Sequence, residues 1–168
     1  VTNGATGANV TGLPAGVTGA YAGGLVTIRG TPTAIGNSTY PLTTVGGCAP
    51  VTVTGNITRT ALPTATIGGT TTVCQNSASP VITFTGSGGA APYTFTYTVD
   101  GGAAQTVSTA AGSNTVSVTA PTGAVNNITY SLTNVSSAAG CGQAQSGSAV
   151  VTIKALPTAT ISGSTNVL

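Results

Sequence analysis

Few side chains here can do acid–base, nucleophilic or metal chemistry, and those few stand apart. The 168 residues include one acid, Asp100, three bases, Arg29, Arg59 and Lys154, three cysteines, Cys48, Cys74 and Cys141, and neither His nor Glu. General acid–base catalysis needs two positioned titratable groups, and a Ser, Thr or Cys nucleophile needs a base beside it. The expectation is therefore a chain that is not an enzyme and needs no cofactor. No two cysteines form a Cys-x-x-Cys pair and no His is present to complete a zinc site, so no metal is expected. Gly86-Ser87-Gly88-Gly89 lacks the Gly-Lys-Ser/Thr ending of a phosphate loop and is a strand connector. A net charge of +2, with its bases far apart, provides no phosphate-backbone footprint, and nucleic acid is not an expected partner.

Three other residue sets carry weaker chemistry. Cys74 and Cys141 fall near the two ends of a repeat unit, and a bond between them would stabilise the fold by about 4 kcal/mol and imply an oxidising, extracellular compartment. Cys48 takes the place of Cys141 in the preceding copy, so its partner is expected upstream of Val1. The alternative is three buried thiols. Asn-x-Ser/Thr triplets begin at Asn9, Asn37, Asn56, Asn127 and Asn134 and are candidate glycan acceptors. Such triplets also arise by chance in a Thr- and Ser-rich chain, and O-linked glycans on Thr are the competing expectation. Tyr93, Phe95 and Tyr97 would form a sugar-stacking platform if they faced solvent. Alternating with Thr94, Thr96 and Thr98 at strand spacing, they are expected in the core, as are Tyr40 and Tyr130.

The elements that must position these residues are strands. Hydrophobic residues make up 40% of the chain and charged ones 2%, against roughly 25% charged in an average soluble protein. Thr and Val share a branched Cβ that suits a pleated surface, while Glu and Met are absent and Lys occurs once. The class expected is all-β. No apolar run approaches a membrane span, so no direct membrane insertion is expected, and any targeting signal would lie outside this stretch. Period-two alternation runs from Tyr93 to Val99 and is followed by Asp100-Gly101-Gly102, a hairpin-turn signal. Ile82 with Phe84, Val116 with Val118, Ile128 with Tyr130 and Leu132, and Val151 with Ile153 repeat the pattern. With a first strand near Thr66 to Cys74, about seven strands result, an immunoglobulin-like sandwich.

Internal repetition sets the organisation. Ala61-Leu62-Pro63-Thr64-Ala65-Thr66-Ile67 returns letter for letter at Ala155–Ile161, 94 positions on. Asn37–Val45 matches Asn127–Val135 at six of nine positions, and Gly47-Cys48 corresponds to Gly140-Cys141. The expected plan is the C-terminal part of one module at 1–60, a complete module at 61–154, and the first strand of another at 155–168. Leu168 takes the place of Cys74, so the third module is expected to lack that disulfide or to use another. Tyr40 and Tyr130 stand where sandwich domains use a tyrosine corner, its ring buried and its hydroxyl on backbone.

Gly12-Leu13-Pro14-Ala15-Gly16-Val17, then Val26–Thr33 ending in Gly30-Thr31-Pro32-Thr33, then Gly36 and Tyr40, resembles the immunoglobulin-like repeat of bacterial surface proteins. Ala91–Tyr97 and the surroundings of Cys74 are similar to the polycystic-kidney-disease-type and immunoglobulin-type repeats of very long secreted proteins, those of gliding bacteria in particular. Such repeats serve as stalks, spacers or adhesive arrays. Calcium-binding relatives use acidic ligands at module junctions, a property that does not carry over to a chain whose one acid lies in a turn. The resemblance implies a structural region of an extracellular bacterial filament or adhesin stalk. Strand edges without charged guards favour association with other copies of the chain or with neighbouring modules of the same chain, the alternative being beads on a string whose edges are blunted by bulges and glycans. The alternative is a carbohydrate-binding accessory module of a large secreted enzyme, which an exposed aromatic pair would favour.

Overall fold

The computed structural model describes residues 4–163, and all of its regular structure is β. The chain divides into two compact units, Val1–Ala61 and Leu62–Leu168.

In the first unit β1 (Gly7–Val10), β4 (Gly36–Val45) and β5 (Thr52–Arg59) form an antiparallel sheet in the order β1-β4-β5. A separate hairpin pairs β2 (Val17–Ala22) with β3 (Leu25–Gly30). Its two connecting residues, Gly23 and Gly24, have φ of 57° and 79°; the tight mirror-image turn needs positive φ at both positions, which glycine adopts without a Cβ clash. None of the described residues of this unit is fully buried.

The second unit holds β6 (Thr64–Gly68), β7 (Thr71–Cys74), β8 (Val81–Ser87), β9 (Thr94–Val99), β10 (Gln105–Ser108), β11 (Thr115–Thr119), β12 (Asn127–Ser136), β13 (Gly142–Ala144) and β14 (Ser148–Lys154). One sheet runs β11-β8-β6 and the other β10-β9-β12-β14-β7, with β13 beside β12. Period-two alternation places Ile82 and Phe84 of the first sheet, and Phe95, Tyr97, Tyr130, Leu132, Val151 and Ile153 of the second, in one core. Phe84 carries the contact between sheets, its ring 5.5 Å from Phe95 and 5.0 Å from Tyr97. Two sheets meeting across such a core are consistent with a β-sandwich.

The single first strand expected near Thr66 to Cys74 is two strands in different sheets. β6 pairs with β8, and the chain then crosses at Gly69, whose φ is +115° and where an added Cβ would overlap the Val81 carbonyl oxygen. β7 continues on the opposite sheet, parallel to β14, with Cys74 beside Lys154.

That direction separates the two cysteines expected to pair. Thr152 faces Asn127 on β12, so Lys154 and its neighbour Cys74 lie beyond the start of that strand. Cys141 lies at the other end, its carbonyl accepting the Ser137 amide at 2.9 Å. Ten residues of strand lie between those ends, which puts Cys74 and Cys141 roughly 30 Å apart at about 3.3 Å per residue. A disulfide requires Cα atoms within about 7 Å. The Cys74–Cys141 bond expected from the repeat ends does not form, and the three cysteines are thiols, Cys48 and Cys74 exposed and Cys141 half-buried. The partner expected for Cys48, and the position Leu168, lie outside the described residues.

Candidate functional site

Two of the side chains able to do chemistry, Asp100 and Arg59, are bound into structure. Asp100 closes the β9–β10 turn: its Oδ1 accepts the Thr129 amide at 2.7 Å, and its own amide donates to the Thr129 carbonyl at 2.8 Å. Arg59 donates from Nη1 to the Thr33 carbonyl at 2.6 Å. Arg29 borders a shallow hollow of about 300 Å3 on the β2–β3 hairpin with Thr18, Ala20, Ala22 and Thr27. No second titratable group lines that hollow. Among the described residues, no three of His, Cys, Asp and Glu come together as a metal site would require.

The aromatic row points inward. Tyr93, Phe95, Tyr97 and Tyr130 are buried, joined by Phe84, while Tyr21 and Tyr40 are half-buried. The tyrosine corner expected at Tyr40 and Tyr130 is not built: among the described residues neither hydroxyl donates to backbone. Tyr93 donates to the Gly88 carbonyl at 2.8 Å and Tyr21 to the Ala5 carbonyl at 3.2 Å; the Tyr93 ring packs against Gly86, where a Cβ would come within 2.6 Å of it. Tyr130 stacks on Tyr97 at 6.3 Å between ring centres. Burial, with lesser contributions from Tyr97 and Asp100, raises the Tyr130 hydroxyl above the ordinary phenol pKa.

Asn9, Asn37, Asn56, Asn127 and Asn134 are all exposed on strands. Two of them already serve the surface ladder of β4 and β5, where Thr58 donates to Asn37 at 3.2 Å and Thr39 to Asn56 at 2.7 Å, with a Thr43–Thr52 hydroxyl pair at 2.9 Å. The second unit repeats the device at Thr83–Ser117, Thr94–Ser108 and Thr64–Ser87. Hydroxyl ladders take the cross-strand role that ion pairs fill in charged sheets.

Strand edges remain as the feature with unused capacity. The outer strands of the second unit's sheets, β10 and β7 in one and β11 and β6 in the other, carry no charged side chain. In the first unit β5 is an outer strand, and exposed Val51 and Val53 accompany it. Ala155–Gly163, expected to open a further strand, forms none and is exposed throughout. Sequence reasoning located the uncharged edges through composition.

No protein-family model matches the chain, and no curated protein matches it. Among solved structures, a Ca2+-stabilised adhesin that helps an Antarctic bacterium reach out and bind ice is similar over 92% of this chain and 51% of its own, at 18% identity and a TM-score of 0.42. The chain thus spans about half the length of that structure. A likeness at that score carries no argument about this chain.

Proposed function

We propose that this chain is a structural, non-enzymatic repeat region of an extracellular bacterial filament or adhesin stalk, a mechanical spacer able to associate with further copies through strand edges. The observation that carries the reading is the recurrence of one hairpin in both units. Asn37 faces Thr58 and Tyr40 faces Gly55 on β4 and β5; Asn127 faces Thr152 and Tyr130 faces Ala149 on β12 and β14. The pairing register is therefore the same at positions that the sequence repeat aligns. A repeated module whose polar groups are consumed in ladders and turns suits load-bearing better than recognition.

We further infer that the second unit is an immunoglobulin-like module. A first strand divided between two sheets, a parallel β7–β14 pair and the order β10-β9-β12-β14-β7 against β11-β8-β6 support this. The carbohydrate-binding alternative needs an aromatic pair open to solvent, and all seven aromatic residues are buried or half-buried.

Single-molecule stretching tests the spacer reading. Extending the second unit from Leu62 to Lys154 should release roughly 300 Å of chain in one step, at about 3.4 Å per residue. Release of the chain in many small steps at negligible force would overturn a mechanical role.

A further inference from the structure

We propose that the outer edge of β11 is an interaction surface for a second copy of this chain, the two β11 strands pairing antiparallel about a two-fold axis at Ser117. The inference deepens the reading above by naming the strand edge through which copies associate, and it rests on that reading.

β11 reads Thr115-Val116-Ser117-Val118-Thr119, the same in both directions. Two such strands paired about Ser117 set like against like: Ser117 opposite Ser117, Val116 opposite Val118, and Thr115 opposite Thr119. A two-fold contact needs a patch that is complementary to itself, and a palindromic strand meets that need along its length. Its hydroxyls lie on the exposed face, where they would pair as Thr43 and Thr52 already do. Val116 and Val118 are half-buried against the core, and the valines of a neighbouring strand would cover what remains open. No charge on β11 guards the edge.

Backbone directions agree with this register. The Asn114 carbonyl accepts the Gly86 amide at 2.8 Å and the Ala120 amide donates to the Pro80 carbonyl at 2.9 Å. Alternation then turns Val116 and Val118 toward β8, and the N–H and C=O of Thr115, Ser117 and Thr119 away from it. Ser113 Oγ marks that outer side, accepting the Thr115 amide at 3.3 Å and donating to the Thr115 carbonyl at 3.1 Å. Ser117 and Thr119 have no backbone partner there among the described residues. Pairing about Ser117 places outward groups opposite outward groups at every step.

The first unit shows the same edge occupied. Val26 and Ile28 of β3 correspond to Val116 and Val118, 90 positions on. Ala22 and Leu25 pair across the two-residue turn, so Leu25, Thr27 and Arg29, the counterparts of Thr115, Ser117 and Thr119, face β2. In the second unit the segment between β10 and β11 is taken up by a turn, closed by the Ser113 amide on the Ala110 carbonyl at 3.0 Å. The chain therefore supplies no strand of its own at that point. The other outer strands of this unit suit the contact less. The outward Ala65 amide of β6 is already held by Gln145, and β7 and β10 are four residues long and not self-complementary in order.

The test is sedimentation velocity with light scattering on the 168-residue chain over a wide concentration range, with reductant present to exclude thiol pairing. Wild type should show a monomer–dimer equilibrium that stops at two copies, because a two-fold contact closes on itself. Ser117→Lys sets like charges face to face at the axis and should weaken dimerisation about tenfold or more. Ser117 is exposed, so the variant should melt as wild type does. Ser117→Pro, which removes an amide that β8 does not use, should act in the same direction. Thr106→Lys, on the β10 edge, should leave the equilibrium unchanged. Hydrogen exchange at the Ser117 amide should slow as concentration rises, while exchange at Val116 should not. A chain monomeric throughout, association untouched by both Ser117 variants, equal weakening by Thr106→Lys, or open-ended assembly beyond two copies overturns the pairing. None of these results alters the stretching experiment, so the spacer reading stands or falls on its own measurement.

Discussion

Tyr130 shows how one residue can report on the packing around it. Its hydroxyl sits in a buried aromatic stack with Tyr97 and feels the Asp100 carboxylate, and these raise its pKa. A folded-state pKa above the unfolded value near 10 means the native state holds the proton more tightly. Its stabilisation is therefore complete below about pH 10 and is lost as pH rises through the higher folded value. Denaturant unfolding followed from pH 8 to 12 should show that decline, and Tyr130→Phe should flatten it. An unchanged slope in the variant would assign the alkaline loss to another tyrosine. At the same scale, the pairing of Tyr93 with Gly86 and of Tyr40 with Gly55 follows from ring size: a Cβ at either glycine would overlap the ring. Ala149 stands where Gly55 does, and Tyr130 accordingly lies against Tyr97 instead of over its neighbour.

Among the elements, β6 depends on a side chain from elsewhere. Gln145, between β13 and β14, accepts the Ala65 amide, a donor on the side of β6 away from β8. Gln145→Ala leaves that part-buried amide without its partner and should cost about 1–3 kcal/mol. Chemical denaturation measures the cost, and hydrogen exchange at Ala65 should accelerate by the matching factor; a loss under a few tenths of a kcal/mol would mean water replaces the glutamine. The bulge in β12 between Leu132 and Asn134 is held in the same region, with Thr133 donating to the Thr96 carbonyl at 3.0 Å and accepting the Gln145 amide at 2.9 Å. An extra residue there keeps Leu132 and Val135 both inward although they are three positions apart.

For the molecule as a whole, burial is unequal. Among the described residues, every buried hydrophobic side chain, from Pro63 to Ile153, belongs to the second unit. Calorimetry of the wild-type chain should resolve two transitions, the earlier one belonging to Val1–Ala61, with the fastest amide exchange in β1 to β5. Reductant should shift neither transition, because no disulfide joins Cys74 to Cys141. A fall in the upper transition on reduction would contradict the strand directions described here.

Composition and periodicity settle the all-β class, the inward aromatic row and the turn at Asp100-Gly101, since each depends on residues near one another in the chain. Asp100 and Gly101 take φ of 50° and 71°, as that dipeptide favours, and the Val99 carbonyl accepts the Gly102 amide at 2.9 Å. Repeat spacing likewise aligned β4 and β5 in sequence with β12 and β14, which pair in the same register. The first strand's division between sheets and the separation of Cys74 from Cys141 were not legible in the same way. Sequence distance to a repeat boundary says nothing of strand direction, and the parallel course of β7 along β14 sends Cys74 to the far end of the sheet.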